Sequence, residues 1–105
     1  MQGRIEIING EIVIKMPIEL MKEGNRVIIY THALDLCGYG ATADEAKKDF
    51  DSALKIFFRE TIENNTLEKS LEELGWKKVM VDNRKYWEPQ TEIISSSLEE
   101  MKIPA

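Results

Sequence analysis

Carboxylates are the side chains of this sequence that could most readily support a reaction. Five of them lie close together along the chain: Asp35, Asp44, Glu45, Asp49 and Asp51. A two-metal nuclease uses such a group, because paired Mg²⁺ ions need several oxygens converging within about 4 Å. The spacing does not favour that site, since three of these acids fall in the first turns of a predicted helix, where the helix dipole attracts negative charge. We therefore predict no metal site and no cofactor.

A thiol and an imidazole, Cys37 and His32, also lie close together in the sequence. A nucleophilic pair needs its base within hydrogen-bond reach of the thiol. These two residues are five positions apart near one predicted strand, so their side chains should point to opposite faces. A buried structural cysteine is the simpler interpretation. We predict no catalytic residues and no enzymatic activity.

Two glycines, Gly38 and Gly40, precede a predicted helix, as they would in a phosphate-binding loop. The third glycine of the usual fingerprint is absent, and acids follow where an anion would bind. Thr42 and Glu45 stand instead in the capping-box relation, in which the hydroxyl accepts from a helix N–H and the carboxylate returns to the Thr42 amide. We interpret the junction as structural and these four residues as defining the fold.

The strands that lead to this junction can be predicted from turn residues and β-branched runs. Asn9-Gly10 lies between two such runs and predicts an N-terminal hairpin within residues 1–16, because both residues accept the positive φ of a type I′ turn. A second turn is predicted at residues 23–25. The apolar run over residues 26–33 predicts a central strand that is covered on both faces or nearly so.

Two helices should follow the junction. Apolar residues recur every three or four positions between Ala46 and Ile62, which predicts a long helix with one buried face. Thr66 is the predicted N-cap of a shorter helix that ends at Gly75. The expected fold is α+β: a small antiparallel sheet with both helices packed on it. The core should span residues 17–88, and residues 89–105 match neither helix nor strand and form a C-terminal arm.

The aromatic residues after the helices are the candidate partner interface: Trp76, Tyr86 and Trp87. They lie beside the one locally basic segment of the chain, so they could stack nucleobases or anchor a protein partner. The alternative is a hairpin that closes the core over the helix, because cross-strand aromatic pairs stabilise small sheets.

Composition limits the class of protein. The 105 residues are 43% hydrophobic, which fits one domain with a single core. The net charge of −5 makes nucleic acid an improbable partner, because phosphate binding depends on a basic surface. The single cysteine allows no internal disulfide, no apolar run approaches the ~20 residues of a membrane span, and the first residues do not resemble a secretory signal. We expect a cytoplasmic protein without membrane insertion.

Residues 18–78 resemble the HicB-like antitoxin family. The resemblance depends on the order of these motifs: Glu23-Gly24-Asn25, Ala33-Leu34-Asp35-Leu36, Gly38-Tyr39-Gly40, Thr42-x-x-Glu45-Ala46 and Leu74-Gly75-Trp76. It implies a partial RNase H-like fold that is not an active nuclease. It also implies a protein that binds and neutralises a small basic RNase toxin, commonly as a dimer or higher oligomer, with a separate C-terminal domain for operator DNA.

Two departures from the family pattern qualify this expectation. Too few residues follow Gly75 to form a helix-turn-helix after a strand, which puts the DNA-binding role in doubt. The hairpin within residues 1–16 is additional to the family core. The leading hypothesis is a toxin-neutralising protein-binding module. The alternatives are an orphan structural or regulatory homo-oligomer, in which the hairpin or the arm pairs with a neighbouring subunit's sheet, and a nucleic-acid-binding role through residues 76–88.

Overall fold

The chain folds into two antiparallel sheets and two helices. The computed structural model describes residues 3–90 and 94–104; residues 1–2, 91–93 and 105, which the predicted hairpin and arm include, lie outside the described residues. In chain order the elements are β1 (Arg4–Ile8), β2 (Glu11–Lys15), β3 (Glu19–Glu23), β4 (Arg26–Thr31), β5 (Leu36–Gly40), α1 (Ala43–Glu63), α2 (Leu67–Glu73), β6 (Trp76–Val81) and β7 (Arg84–Pro89). The predicted α+β class is confirmed. Within the described residues, neither helix is both long enough and apolar enough to cross a membrane.

The N-terminal hairpin belongs to a four-stranded sheet with strand order β2-β1-β7-β6. Asn9 and Gly10 have φ values of 51° and 78°, which confirms the predicted turn. β1 pairs with β7, with Ile5 directly opposite Trp87. The hairpin therefore joins the last two strands of the chain, and the strands divide into two sheets where the sequence suggested one.

The second sheet has three strands in the order β3-β4-β5. β4 is central, and Ile29 on one of its faces is buried against Ala46 and Phe50 of α1. On the other face, Ile28 and Tyr30 are only half-buried. The prediction that this strand is covered on both faces or nearly so was wrong, because among the described residues α1 packs on one face and no helix packs on the other.

The backbone of α1 lies directly against β5, and two glycines make this possible. A Cβ atom on Gly38 would lie 2.6 Å from the carbonyl oxygen of Ala46, and one on Gly40 would lie 2.5 Å from the Ala46 nitrogen. Real Cβ atoms do not approach other atoms so closely, so any larger residue would push the helix off the strand. The glycines are therefore needed for packing between elements.

The helix boundaries agree with the sequence, with two differences in detail. Ile62 was predicted on the buried face of α1 but is 44% exposed, and the neighbouring Thr61 is buried instead. The Thr61 hydroxyl can be buried because it donates to the carbonyl oxygen of Phe57 at 2.8 Å. Thr66 occupies the N-cap position of α2, but its side chain makes no capping hydrogen bond. Gly75, with φ of 94°, follows the end of α2 as predicted.

Candidate functional site

The junction between β5 and α1 contains the predicted capping box with one change. The Glu45 N–H donates to Thr42 Oγ1 at 3.2 Å, as expected. The Glu45 carboxylate, however, accepts from the Ala41 N–H at 2.8 Å and not from Thr42. The Ala46 N–H donates to the Thr42 carbonyl oxygen. These amides are already hydrogen-bonded, so the loop does not present them to a phosphate.

Asp49 and Asp35, two of the carboxylates near the junction, accept hydrogen bonds from different groups. Asp49 accepts from the backbone N–H of Tyr39 at 2.8 Å, which ties α1 to the outer edge of β5. Asp35 accepts from the Tyr30 hydroxyl at 3.0 Å. In the part of the chain that the structure describes, no three His, Cys, Asp or Glu side chains are grouped so as to hold a metal ion.

Cys37 is half-buried, not fully buried as the sequence suggested. Its Sγ atom is hydrogen-bonded to the Tyr39 hydroxyl at 3.1 Å, and this bond, with the charge of a thiolate, raises the pKa of Tyr39 above its ordinary value. The carboxylate of Asp35 likewise raises the pKa of Tyr30, chiefly through their hydrogen bond. Both phenols therefore stay neutral at physiological pH and can act as hydrogen-bond donors and acceptors.

The face of the three-stranded sheet that α1 leaves uncovered carries a group of apolar and aromatic side chains. Cross-strand pairing places them on one side of the sheet, because directly opposed residues share a face. We call this group the open face: Met21, Ile28, Tyr30, Cys37 and Tyr39. The sequence pattern does not indicate the open face, because the apolar run over residues 26–33 predicts a strand that is covered on both faces or nearly so. Partly exposed aromatic and Met side chains of this kind are enriched in protein interfaces.

Charged residues surround the open face, and acids outnumber bases. Glu19 pairs with Tyr30 across the sheet, and Glu23 pairs with Arg26, whose guanidinium lies 4.5 Å from the centre of the Tyr39 ring. Asp35 adds a third carboxylate beside Tyr30. The rim thus has three acids and one base, so it favours a cationic partner over an anionic one.

β3 forms one edge of this sheet, and every one of its residues is exposed. Leu20, its second residue, is 63% exposed. Among the described residues only β4 pairs with β3, so the backbone N–H and C=O groups on the other side of β3 can pair with an added strand.

The predicted aromatic interface lies elsewhere and is mostly part of the core. Trp76 and Trp87 are 1% and 2% exposed. The Trp76 indole N–H donates to the Ala33 carbonyl oxygen at 2.7 Å, and Tyr86 is half-buried beneath Arg4. Neither indole can anchor a partner in this structure, because both fill the space between the four-stranded sheet and the helices. These aromatic residues lie in a hairpin that closes the core, as in the alternative interpretation of the sequence.

Comparison of the chain with protein-family models, with curated proteins and with solved structures found no match. The HicB-like resemblance therefore stays a prediction.

Proposed function

We propose that this chain is a non-catalytic protein-binding module of the toxin–antitoxin type, with a HicB-like fold, that neutralises a small basic RNase toxin in the cytoplasm. The observation that supports it best is the open face beside the exposed edge strand β3. The apolar and aromatic side chains offer contact area, and the free backbone of β3 offers hydrogen bonds to an added strand.

Charge supports a basic partner. The helical segment of residues 43–74 carries nine acids and five bases, a local balance of −4, and the whole chain has a net charge of −5. A field of this sign attracts a cationic protein from a distance and increases the rate of encounter. Three acids on the rim of the open face would then pair with the partner's cations on contact.

Co-purification tests this proposal. The full chain is expressed with any small basic protein that an adjacent gene encodes, and the complex is sought by size-exclusion chromatography at low and moderate salt. We expect a stable complex that suppresses the RNase activity of the partner. Absence of a complex at moderate salt would contradict the proposal.

Paired charge reversals locate the binding surface. The double variant Glu19→Lys/Glu23→Lys changes the rim of the open face, and Glu72→Lys/Glu73→Lys makes the same charge change on exposed positions of α2. We expect the first variant to lose the complex and the second to keep it with slower association. The opposite result would place the binding surface on the helices.

A second candidate function is homo-oligomerisation, favoured by the C-terminal arm. Four large apolar side chains of the arm are almost fully exposed: Ile94, Leu98, Met101 and Ile103. Apolar side chains that are exposed together in this way mark contact sites. Light scattering of the full chain across a concentration series tests this function, and a monomer at all concentrations would exclude it.

A further inference from the structure

One cavity on the outer face of the four-stranded sheet gathers positive charge in a chain that is acidic overall, although Glu11 and Glu88 lie elsewhere on the same face. Arg4 and Lys15 are opposed across β1 and β2, and Arg84 of β7 reaches the same place. Together with Glu6 and Val13 they line a shallow cavity of about 190 Å³. We call Arg4, Lys15 and Arg84 the cationic pocket. With one carboxylate among three cations, its local balance is +2.

Glu6 does not neutralise the cationic pocket. Its side chain is 10% exposed, and one of its oxygens accepts from Arg84 Nη2 at 2.6 Å and Nε at 2.9 Å. Arg4 Nε lies 3.5 Å from the other oxygen, yet this buried nitrogen has no hydrogen-bond partner among the described residues. Lys15 has no ion-pair partner within the described residues. The buried Nε cannot be reached from outside, but the Arg4 side chain as a whole is 42% exposed, so its outer guanidinium N–H groups and the Lys15 ammonium can donate to a second carboxylate.

The C-terminal arm carries the complementary chemistry. Glu99 and Glu100 are adjacent and exposed, and they lie between the exposed apolar side chains of Leu98 and Met101. Arginine and lysine bind carboxylates through charge-assisted hydrogen bonds, which are stronger than neutral ones. Val13, which is partly exposed at the cavity, offers an apolar surface beside the cations.

We propose that the cationic pocket binds the Glu99–Glu100 pair of the arm of a second copy of this chain. Each copy contributes one pocket and one arm, so the contact is made twice in a two-fold dimer. The proposal rests on the second candidate function, homo-oligomerisation, and is independent of toxin binding.

Charge-reversal variants of the full chain test the contact. Lys15→Glu removes one cation of the pocket, and Glu99→Lys/Glu100→Lys reverses the arm. Each variant alone should weaken dimerisation at least about tenfold in light scattering, because a charge-assisted hydrogen bond contributes about one factor of ten in affinity. Mixing the two variants should restore the dimer, since the mixture contains one unaltered pocket and one unaltered arm.

Matched controls make the same charge changes elsewhere. Lys22→Glu on β3 matches the pocket variant, and Glu72→Lys/Glu73→Lys on α2 matches the arm variant; both should dimerise as the unaltered chain does. A monomeric unaltered chain would overturn this proposal and the second candidate function together. If the chain is a dimer and the variants at Lys15, Glu99 and Glu100 do not weaken it, the result overturns this contact alone.

Two further results would also overturn the contact. In the first, each variant is monomeric and mixing the two variants does not restore the dimer, which would mean that the arm binds the sheet of its own copy. The other result concerns a labelled single-stranded oligonucleotide. If it binds the unaltered chain with steep salt dependence, fails to bind Lys15→Glu and still binds Glu99→Lys/Glu100→Lys, the pocket binds nucleic acid.

Discussion

Glu68, at the start of α2, is held by two lysines of the C-terminal hairpin. Its Oε1 lies 2.9 Å from Lys78 Nζ and 3.6 Å from Lys85 Nζ. The hydrogen bond and charge of Lys78 lower the pKa of Glu68 below its ordinary value of 4.5. Because the pKa is lower in the folded chain, the stabilising effect is fully present above pH 4.5 and is lost as the pH falls through the lowered pKa.

Replacement of Lys78 tests this pair directly. Lys78→Gln should raise the pKa of Glu68 toward its ordinary value and should reduce the pH dependence of unfolding below pH 4.5. Carboxyl chemical shifts followed by NMR across an acid titration measure the pKa. Lys77→Gln, which removes the same charge from the adjacent position of β6, should leave it unchanged. An unchanged pKa in Lys78→Gln would contradict the assigned partner.

At the residue scale, the sequence predicted local contacts well and distant ones poorly. Thr42 and Glu45 are three positions apart, so helix geometry alone predicts their hydrogen bond. The bond from the Tyr39 N–H to Asp49 joins a strand to the second turn of a helix. It depends on how the helix docks, and periodicity within either element carries no information about that.

At the scale of elements, the contact of α1 with β5 is the closest in the fold. Gly38→Ala should lower the free energy of unfolding by about 1–3 kcal/mol, because the added methyl group meets the backbone of α1, which cannot move independently. Urea denaturation measures the change. Gly10→Ala is a suitable comparison: its Cβ would meet nothing within 4 Å, and only its positive φ adds a cost, of about 1 kcal/mol. A smaller effect of Gly38→Ala than of Gly10→Ala would contradict the close packing.

The pairing between strands was harder to predict from the sequence than the positions of the strands and helices. The Asn9-Gly10 turn, the Thr42 cap and the Gly75 stop are all local signals, and the structure contains each of them. The pairing of β1 with β7 and the bond from Trp76 to Ala33, 43 residues apart, are not local. Aromatic residues beside lysines resemble an exposed anchor in the sequence, and only the long-range pairing shows that the indoles are buried.

At the scale of the whole molecule, the hairpin of residues 4–15 is an integral part of the core. Ile5 is completely buried and packs with Trp76 and Trp87. Deletion of residues 1–15 should therefore destabilise the whole chain, since it uncovers both indoles and leaves β7 as an edge strand. Tryptophan fluorescence should shift to longer wavelength, and the urea midpoint should fall.

Deletion of residues 94–105 is the matching control. The described residues of that segment are exposed, so at a chain concentration low enough for the proposed dimer to dissociate, its removal should leave the urea midpoint and the fluorescence of the fold unchanged. A hairpin deletion that keeps the original midpoint would show that the N-terminal strands are peripheral to the core.

The pairing of β1 with β7 also sets an order for folding during synthesis. β1 leaves the ribosome first, but the strand that completes its sheet is made last. β3, β4, β5 and α1 are contiguous along the chain and can fold while the rest is still being translated. For most of synthesis, β1 has β2 as its only neighbour, so its free edge is open to strands of other chains. The tight Asn9-Gly10 turn holds β1 against β2 during this interval, so the edge exposed to other chains is the one that later receives β7.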